Sequence, residues 1–173
     1  TYDLPEKMRR FLDADHPIED IAQRFHMEPF FLYLGRHIGL PVALEGALKL
    51  KEISYLRAEG YPAGELKHGP LALIEPGTVV VAIVDPLREK MASNVAEAAA
   101  RGATVVAVAP DGTPEVAGLA GVEHVLHVPA VREPMFAPVV EVVPLQLLAY
   151  ALARRLGNDI DRPRNLAKTV TVE

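Results

Sequence analysis

Two uninterrupted runs of β-branched and small apolar residues constrain the fold of this chain more than any other feature. Residues 78–84 read TVVVAIV and residues 104–109 read TVVAVA, and neither run alternates with polar residues. A strand without alternation is buried on both faces, as in a parallel sheet covered by helices. Because helical patterns separate the runs, the sequence predicts an α/β fold: a three-layer αβα sandwich with a mostly parallel open sheet.

The other elements follow from apolar periodicity and from Gly and Pro stop signals. Further strands are expected at 30–34 and 124–128, and helices at 5–14, 18–26, 41–58, 64–74, 87–101 and 137–156. We therefore expect a helical lead-in over residues 1–28, the sandwich over 29–157 and a tail over 158–173. Ligands of such sheets bind beyond the carboxyl ends of the strands, which favours the segments after Leu34 and Val84.

Composition narrows the kinds of partner and site. The net charge of −5 argues against a nucleic-acid or anionic membrane partner. The chain has no cysteine, so it has neither a disulfide nor a thiolate metal site. No apolar run reaches the roughly 18 residues of a spanning helix, and no export signal opens the sequence. We expect a cytoplasmic protein without a membrane partner. No metal is expected either, since His124 and His127 lack an evident third ligand.

Three ionisable residues share one stripe of an otherwise apolar helix. Glu45, Lys49 and Glu52 are spaced i, i+4 and i+7, which places them within about 60° of one another around the helix. One interpretation is an exposed ion pair that contributes roughly 0.3–0.5 kcal/mol. The apolar neighbours favour another, in which the stripe faces a confined space where burial raises a glutamate pKa and a nearby lysine lowers it. A carboxylate balanced in this way can carry protons near neutral pH.

Two further residues are candidates for the same chemistry. His68 lies in a Lys-His-Gly-Pro bend, and histidine transfers protons at neutral pH, although a capping or packing role is equally open. Lys168 lies near the C-terminus, where a lysine is usually solvated. It becomes a nucleophile only if the tail folds over the site and desolvation lowers its pKa. The GRHIG loop at 35–39 lacks the spacing of the known phosphate loops, so a structural role is favoured there.

Four blocks of the sequence resemble one enzyme family. They are EGALKLKEISY at 45–55, GELKHGPLALI at 64–74, VPLQLLAY at 143–150 and PRNLAKTVTVE at 163–173. In this order they are similar to the glucosamine-6-phosphate synthases, also called glutamine–fructose-6-phosphate aminotransferases (isomerising). That family builds its isomerase module from two SIS (sugar isomerase) subdomains, each an αβα sandwich, and this chain resembles the second. We expect the glutaminase domain and the first SIS subdomain, which holds the sugar phosphate, to be missing from it.

The resemblance implies a role for each candidate residue. Glu52 would move a proton between C1 and C2 of the sugar, with Lys49 supporting acid–base steps beside it and Glu45 on the same stripe. His68 would assist ring opening, reaching the site from the neighbouring subunit of a homodimer. Lys168 would form a Schiff base with fructose-6-phosphate, so the tail would contribute to the active site. The family uses no cofactor, its product is glucosamine-6-phosphate, and we expect this chain to be inactive alone.

Two other functions stay open on the sequence. A non-catalytic SIS module can sense a sugar phosphate, although ionisable residues at all five candidate positions argue against it. A related SIS deglycase or another ketose–aldose isomerase would use a similar fold, and a glutaminase domain upstream would separate that possibility from a synthase.

Overall fold

A five-stranded parallel sheet forms the centre of the molecule. The computed structural model describes residues 3–84, 88–113, 116, 118–119 and 121–166. In chain order the elements are α1 (Leu4–Asp13), α2 (Ile18–Phe25), β1 (Phe30–Gly35), α3 (Gly39–Ser54), β2 (Arg57–Pro62), β3 (Thr78–Ile83), α4 (Arg88–Ala99), β4 (Thr104–Pro110), β5 (Val122–Val128) and α5 (Ala137–Arg155). Short 3-10 helices cover Ala63–His68, Pro70–Leu73 and Pro134–Phe136.

The sheet is doubly wound, as the buried runs predict. Its strand order is β2-β1-β3-β4-β5, and every neighbouring pair is parallel. Strands β1 and β3 are buried along their whole length, so the predicted αβα sandwich is confirmed. Helix α3 connects β1 to the edge strand β2 and therefore runs antiparallel to both strands.

Helices cover both faces of this sheet and divide the interior into two cores. One core joins α1, α2, α3 and α5 to one face, with Phe31, Tyr33 and Val81 among the strand residues. The other joins α4 and the 3-10 helices that follow β2 to the opposite face, with Leu32 and Val80. The layer that contains α3 is thus separated by the sheet from the layer that contains residues 63–73.

The long helix predicted over 41–58 is shorter than expected. It ends at Ser54, because Tyr55 adopts a left-handed conformation with φ of 63°. Residues 57–62 then form β2, a strand that the sequence did not predict. The sequence RAEGYP lacks the apolar run of a central strand, and β2 has a neighbour on one side only.

The helix predicted over 64–74 is also wrong in type. Two 3-10 helices occupy this segment and are separated at Gly69, whose φ is 155°. Glycine tolerates this positive φ, and the following Pro70 has no N–H for a continuing helix. The bend predicted around His68 is therefore present, although the regular helix is not.

The lead-in helices pack onto the sandwich. Phe11, Ile21 and Phe25 from α1 and α2 are buried in the same core as α3 and α5. Helix α5, together with the preceding 3-10 turn, is the one described helix long and apolar enough to cross a membrane by length and composition. More than half of an apolar 18-residue window within it is buried inside the molecule, so its apolar surface is used in the core.

Candidate active site

Lys49 lies between two carboxylates on the outer side of α3. Its Nζ donates a hydrogen bond to Oε2 of Glu52 at 2.8 Å and lies 3.6 Å from Oε1 of Glu45. The hydrogen bond to Glu52 raises the pKa of Lys49 above its usual value, with a further contribution from Glu45, and this outweighs the lowering by partial burial. Lys49 is therefore an ammonium at neutral pH. The spacing of the three residues predicted this cluster correctly.

The stripe is about one-third exposed within the described part of the chain. The side chains of Glu45, Lys49 and Glu52 retain 39%, 34% and 28% exposure. Leu44 and Leu48 on the same helix are also exposed. The confined space expected from the apolar neighbours is not formed by the described residues. The burial of Ala43, Ala47 and Leu50 instead reflects the side of α3 that faces the core.

The segment after α5 returns to the C-terminal end of α3 and forms a pocket beside Glu52. This pocket has a volume of about 250 Å³ and is lined by Lys51, Glu52, Tyr55, Arg164, Asn165 and Leu166. It lies near the start of β2, because α3 runs antiparallel to the strands. The candidate site is thus at the amino end of the edge strand. It does not lie at the carboxyl ends, where the fold class alone favoured a ligand.

Three contacts attach this segment to the helix end. The Asn158 side chain donates to the carbonyl of Ser54 at 2.9 Å, and the Arg164 N–H donates to the Tyr55 hydroxyl at 2.8 Å. The Arg164 guanidinium also lies 4.1 Å from the centroid of the Tyr55 ring, within the range of a cation–π contact. Sequence reasoning missed Tyr55 and Arg164 as site residues. Both lie in blocks that carry the family resemblance, but no spacing rule shows that they meet.

His68 is not brought to the α3 stripe. Its Nδ1 lies 2.7 Å from Oε2 of Glu65, and both side chains are largely exposed. The same 3-10 helix buries Leu66 in the core on the α4 side of the sheet, whereas α3 packs on the other side. Because the sheet separates the two layers, His68 and Glu52 of one chain do not face the same pocket.

Lys168 lies outside the described residues. The described chain ends at Leu166, which lines the pocket beside Glu52. The structure therefore shows where the segment that leads to Lys168 is attached, and the role of Lys168 stays a prediction.

The loop after β1 has a structural contact. The Nε of Arg36 donates to the Asn94 side chain at 3.0 Å and thereby connects this loop to α4. This is in keeping with the structural role favoured for the GRHIG loop. Within the described ranges, no three His, Asp or Glu side chains are grouped so that they could hold a metal ion.

The chain is similar to proteins that act on phosphorylated sugars. The sequence model of the SIS domain matches residues 31–154. The glutamine–fructose-6-phosphate aminotransferase (isomerizing) of Thermus thermophilus is 52% identical over 98% of this chain, and that of Aquifex aeolicus is 48% identical over the same share. In both cases the match covers 28% of the relative, so this chain spans little more than a quarter of their length.

Solved structures show the same likeness. The C-terminal domain of glucosamine-fructose-6-phosphate aminotransferase from Francisella tularensis has a TM-score of 0.79 at 40% identity, covering 90% of this chain and 43% of that one. A putative phosphosugar isomerase from Silicibacter pomeroyi has a TM-score of 0.74 at 29% identity, covering 92% of this chain and 46% of that one.

Proposed function

This chain belongs to the SIS domain family, and on that premise we propose that it is the second sugar-isomerase half of a glutamine–fructose-6-phosphate aminotransferase (isomerising). The identity to the Thermus and Aquifex enzymes supports the assignment. The observation that carries it is the contact between the Lys49 ammonium and Glu52, beside a pocket completed by the C-terminal segment. A carboxylate next to a sugar-binding pocket is suited to proton transfer at carbon.

The proposed chemistry converts fructose-6-phosphate and ammonia, released from glutamine elsewhere in the enzyme, into glucosamine-6-phosphate and water. The Lys168 amine condenses with the C2 ketone and water leaves; ammonia then displaces the lysine, which leaves an imine at C2. Loss of a proton from C1 and gain of a proton at C2, together with passage of the O1 hydroxyl proton to the imine nitrogen, give the amino aldose, and Glu52 carries the proton between C1 and C2. Lys49 holds the Glu52 carboxylate in place through its hydrogen bond, and Glu45 holds Lys49 from the other side.

The attachment of the tail supports the role of Lys168. Leu166 lines the pocket together with Glu52, and two further residues span at most about 7 Å. The Lys168 amine is therefore within reach of a sugar bound next to Glu52. This agrees with a tail that contributes to the active site.

The position of His68 supports a homodimer. Because the sheet of one chain separates His68 from Glu52, we place His68 in the site of the neighbouring subunit, where it assists ring opening. A first SIS half and a glutaminase domain complete the enzyme. These domains or the second subunit would enclose the partly exposed stripe on α3, together with exposed Leu44 and Leu48. A cytoplasmic location fits an enzyme of this metabolic class.

A chimera tests the proposal. The 173 residues replace the matching region of the Thermus thermophilus enzyme, and synthase turnover is measured for the chimera, its Glu52→Gln variant and its Glu59→Gln variant. Glu59 is a control because it lies on β2, where it pairs with Arg57. We expect Glu52→Gln to lower turnover by at least about 100-fold and Glu59→Gln to leave it near that of the chimera. Near-normal turnover of Glu52→Gln would remove Glu52 from the mechanism.

A further inference from the structure

We propose that Tyr55 is a positioning residue that anchors the C-terminal segment beside Glu52 and so sets where Lys168 can act. This inference rests on the proposed function for its catalytic consequence, but the anchor itself does not. Tyr55 holds Arg164 by two different interactions: its hydroxyl accepts the backbone N–H at 2.8 Å, and its ring lies 4.1 Å from the guanidinium. One side chain thus fixes both the backbone and the side chain of a residue in the tail.

The backbone of Tyr55 points to the same role. Tyr55 follows the last residue of α3 in a left-handed conformation, with φ of 63° and ψ of 10°. Left-handed helix ends usually carry glycine or asparagine, because a bulky side chain is disfavoured there. A tyrosine is less favourable than glycine in this backbone conformation, but it provides a side chain that can bind the returning segment. The hydrogen bond and the cation–π contact with Arg164 are stabilising interactions that glycine could not make here.

A second attachment limits the path between α5 and the anchor. Asn158 donates to the carbonyl of Ser54, and the Asp159 carboxylate accepts the N–H groups of Asp161 and Arg162 at 3.1 and 3.0 Å, which forms a tight turn. The segment is therefore tied to adjacent residues at both of its ends. Only the residues beyond Arg164 depend on Tyr55 for their starting position.

The anchor is close to the chemistry without belonging to it. Tyr55 follows Glu52 by three residues, and the side chains of both line the same pocket. Loss of the Tyr55 side chain would leave Glu52 and Lys49 unchanged and release the segment from Arg164 to Leu166 from its place beside the pocket. We therefore expect kcat to fall more than KM rises.

Amide hydrogen exchange of the 173-residue chain tests the anchor independently of any activity. In Tyr55→Ala we expect the Arg164 amide to exchange roughly tenfold faster, the ratio expected when a hydrogen bond and a cation–π contact are lost together. Tyr150→Ala is the matched control, because Tyr150 likewise has an arginine, Arg154, over its ring, but it is exposed and lies on α5, away from the tail. Unchanged exchange at Arg164 in Tyr55→Ala would overturn the anchor.

Tyr55→Phe keeps the test informative if Tyr55→Ala does not fold. It retains the ring over which Arg164 lies and loses only the hydroxyl acceptor, so a smaller acceleration confined to the tail is expected. Exchange in β1 and β3 serves as the internal reference for an intact core. No acceleration at the Arg164 amide in Tyr55→Phe would contradict the hydroxyl contact.

Reductive trapping in the chimera tests the catalytic consequence. Borohydride treatment with fructose-6-phosphate should label Lys168, less in Tyr55→Ala and to an intermediate extent in Tyr55→Phe. Full labelling of Tyr55→Ala, despite faster tail exchange, would overturn the positioning role. Absence of labelling in the unsubstituted chimera would count against the proposed function instead, since the exchange result stands without it.

Discussion

At the scale of single residues, Lys49 sets the charge arrangement of the candidate site. The sequence predicted that Glu45, Lys49 and Glu52 share a stripe, because helical spacing alone determines this. It did not show that the shorter contact joins Lys49 to Glu52, at 2.8 Å, rather than to Glu45, at 3.6 Å. That choice depends on rotamers and on partial burial, which spacing does not describe.

The raised pKa of Lys49 makes its effect on stability depend on pH. Its folded-state pKa lies above the ordinary lysine value of 10.5, so the ammonium favours the folded state below pH 10.5. That contribution is lost as the pH rises through the raised pKa. Because these side chains are about one-third exposed, solvent screening limits the contribution to roughly 0.3–0.5 kcal/mol.

We therefore predict a pH-dependent gap between the wild type and Lys49→Met. Urea unfolding at pH 7 should show a lower free energy of unfolding for Lys49→Met by that amount, and the gap should close in alkaline solution above the lysine pKa. Lys51→Met is the control on the same helix, since Lys51 is exposed beside the stripe, and no comparable gap is expected for it. A gap that widens at alkaline pH would contradict the ion pair.

At the scale of elements, the contact between α3 and its neighbours depends on Gly46. A Cβ at this position would lie 2.6 Å from Cδ1 of Leu145 on α5 and 2.8 Å from Cε1 of Tyr33 on β1. Leu145 and Tyr33 are fully buried, so neither side chain can move into solvent. The closeness of α3 to the core, and with it the position of the stripe, therefore depends on the absence of a side chain at residue 46.

Gly46→Ala should destabilise the protein although alanine is the better helix former. The helix preference favours alanine by about 1 kcal/mol, while overpacking costs about 1–3 kcal/mol. Because a contact of 2.6 Å with a buried side chain favours the upper end of that cost, we expect a net loss of up to about 2 kcal/mol. Thermal unfolding measures it. Gly64→Ala is the control, because its Cβ would meet the Arg36 guanidinium at an ordinary 3.4 Å. Equal melting temperatures for Gly46→Ala and the wild type would contradict the packing argument.

Strands with a long uninterrupted apolar run were predicted correctly from the sequence. Features that depend on contacts between distant parts of the chain were not. Strands β3 and β4 follow directly from their buried β-branched runs. Strand β2 has a polar sequence and exists because β1 offers it a pairing edge. The end of α3 at Tyr55 has no local Gly or Pro signal, and the residue that Tyr55 contacts there, Arg164, is distant in the sequence.

At the scale of the whole molecule, the sheet separates two residues that the proposed reaction requires. Glu52 lies on α3, which packs against one face of the sheet. His68 lies two residues after Leu66, which is buried against the other face. The candidate residues could be recognised from the sequence. That Glu52 and His68 lie on opposite faces of the sheet follows from the order in which the strands are connected, which the sequence pattern does not give. The contact between Tyr55 and Arg164, which are 109 positions apart, is likewise invisible to local patterns.

This partition predicts complementation between two inactive variants of the chimera. If each site combines Glu52 of one subunit with His68 of the other, a heterodimer of Glu52→Gln and His68→Ala contains one site with both residues intact. Coexpression should therefore restore synthase activity that neither variant has alone. Lack of recovery in a purified heterodimer would show that both residues act within one subunit.

The fate of deuterium at C1 of labelled fructose-6-phosphate tests the central claim, that Glu52 moves a proton between C1 and C2, most directly. The chimera should remove one deuterium from C1 and deliver it to C2 or to solvent, whereas Glu52→Gln should bind the sugar and leave the label at C1. Loss of the label at an undiminished rate in Glu52→Gln would contradict the claim. Binding without any loss in the unsubstituted chimera would contradict it as well, and would favour a sensing module.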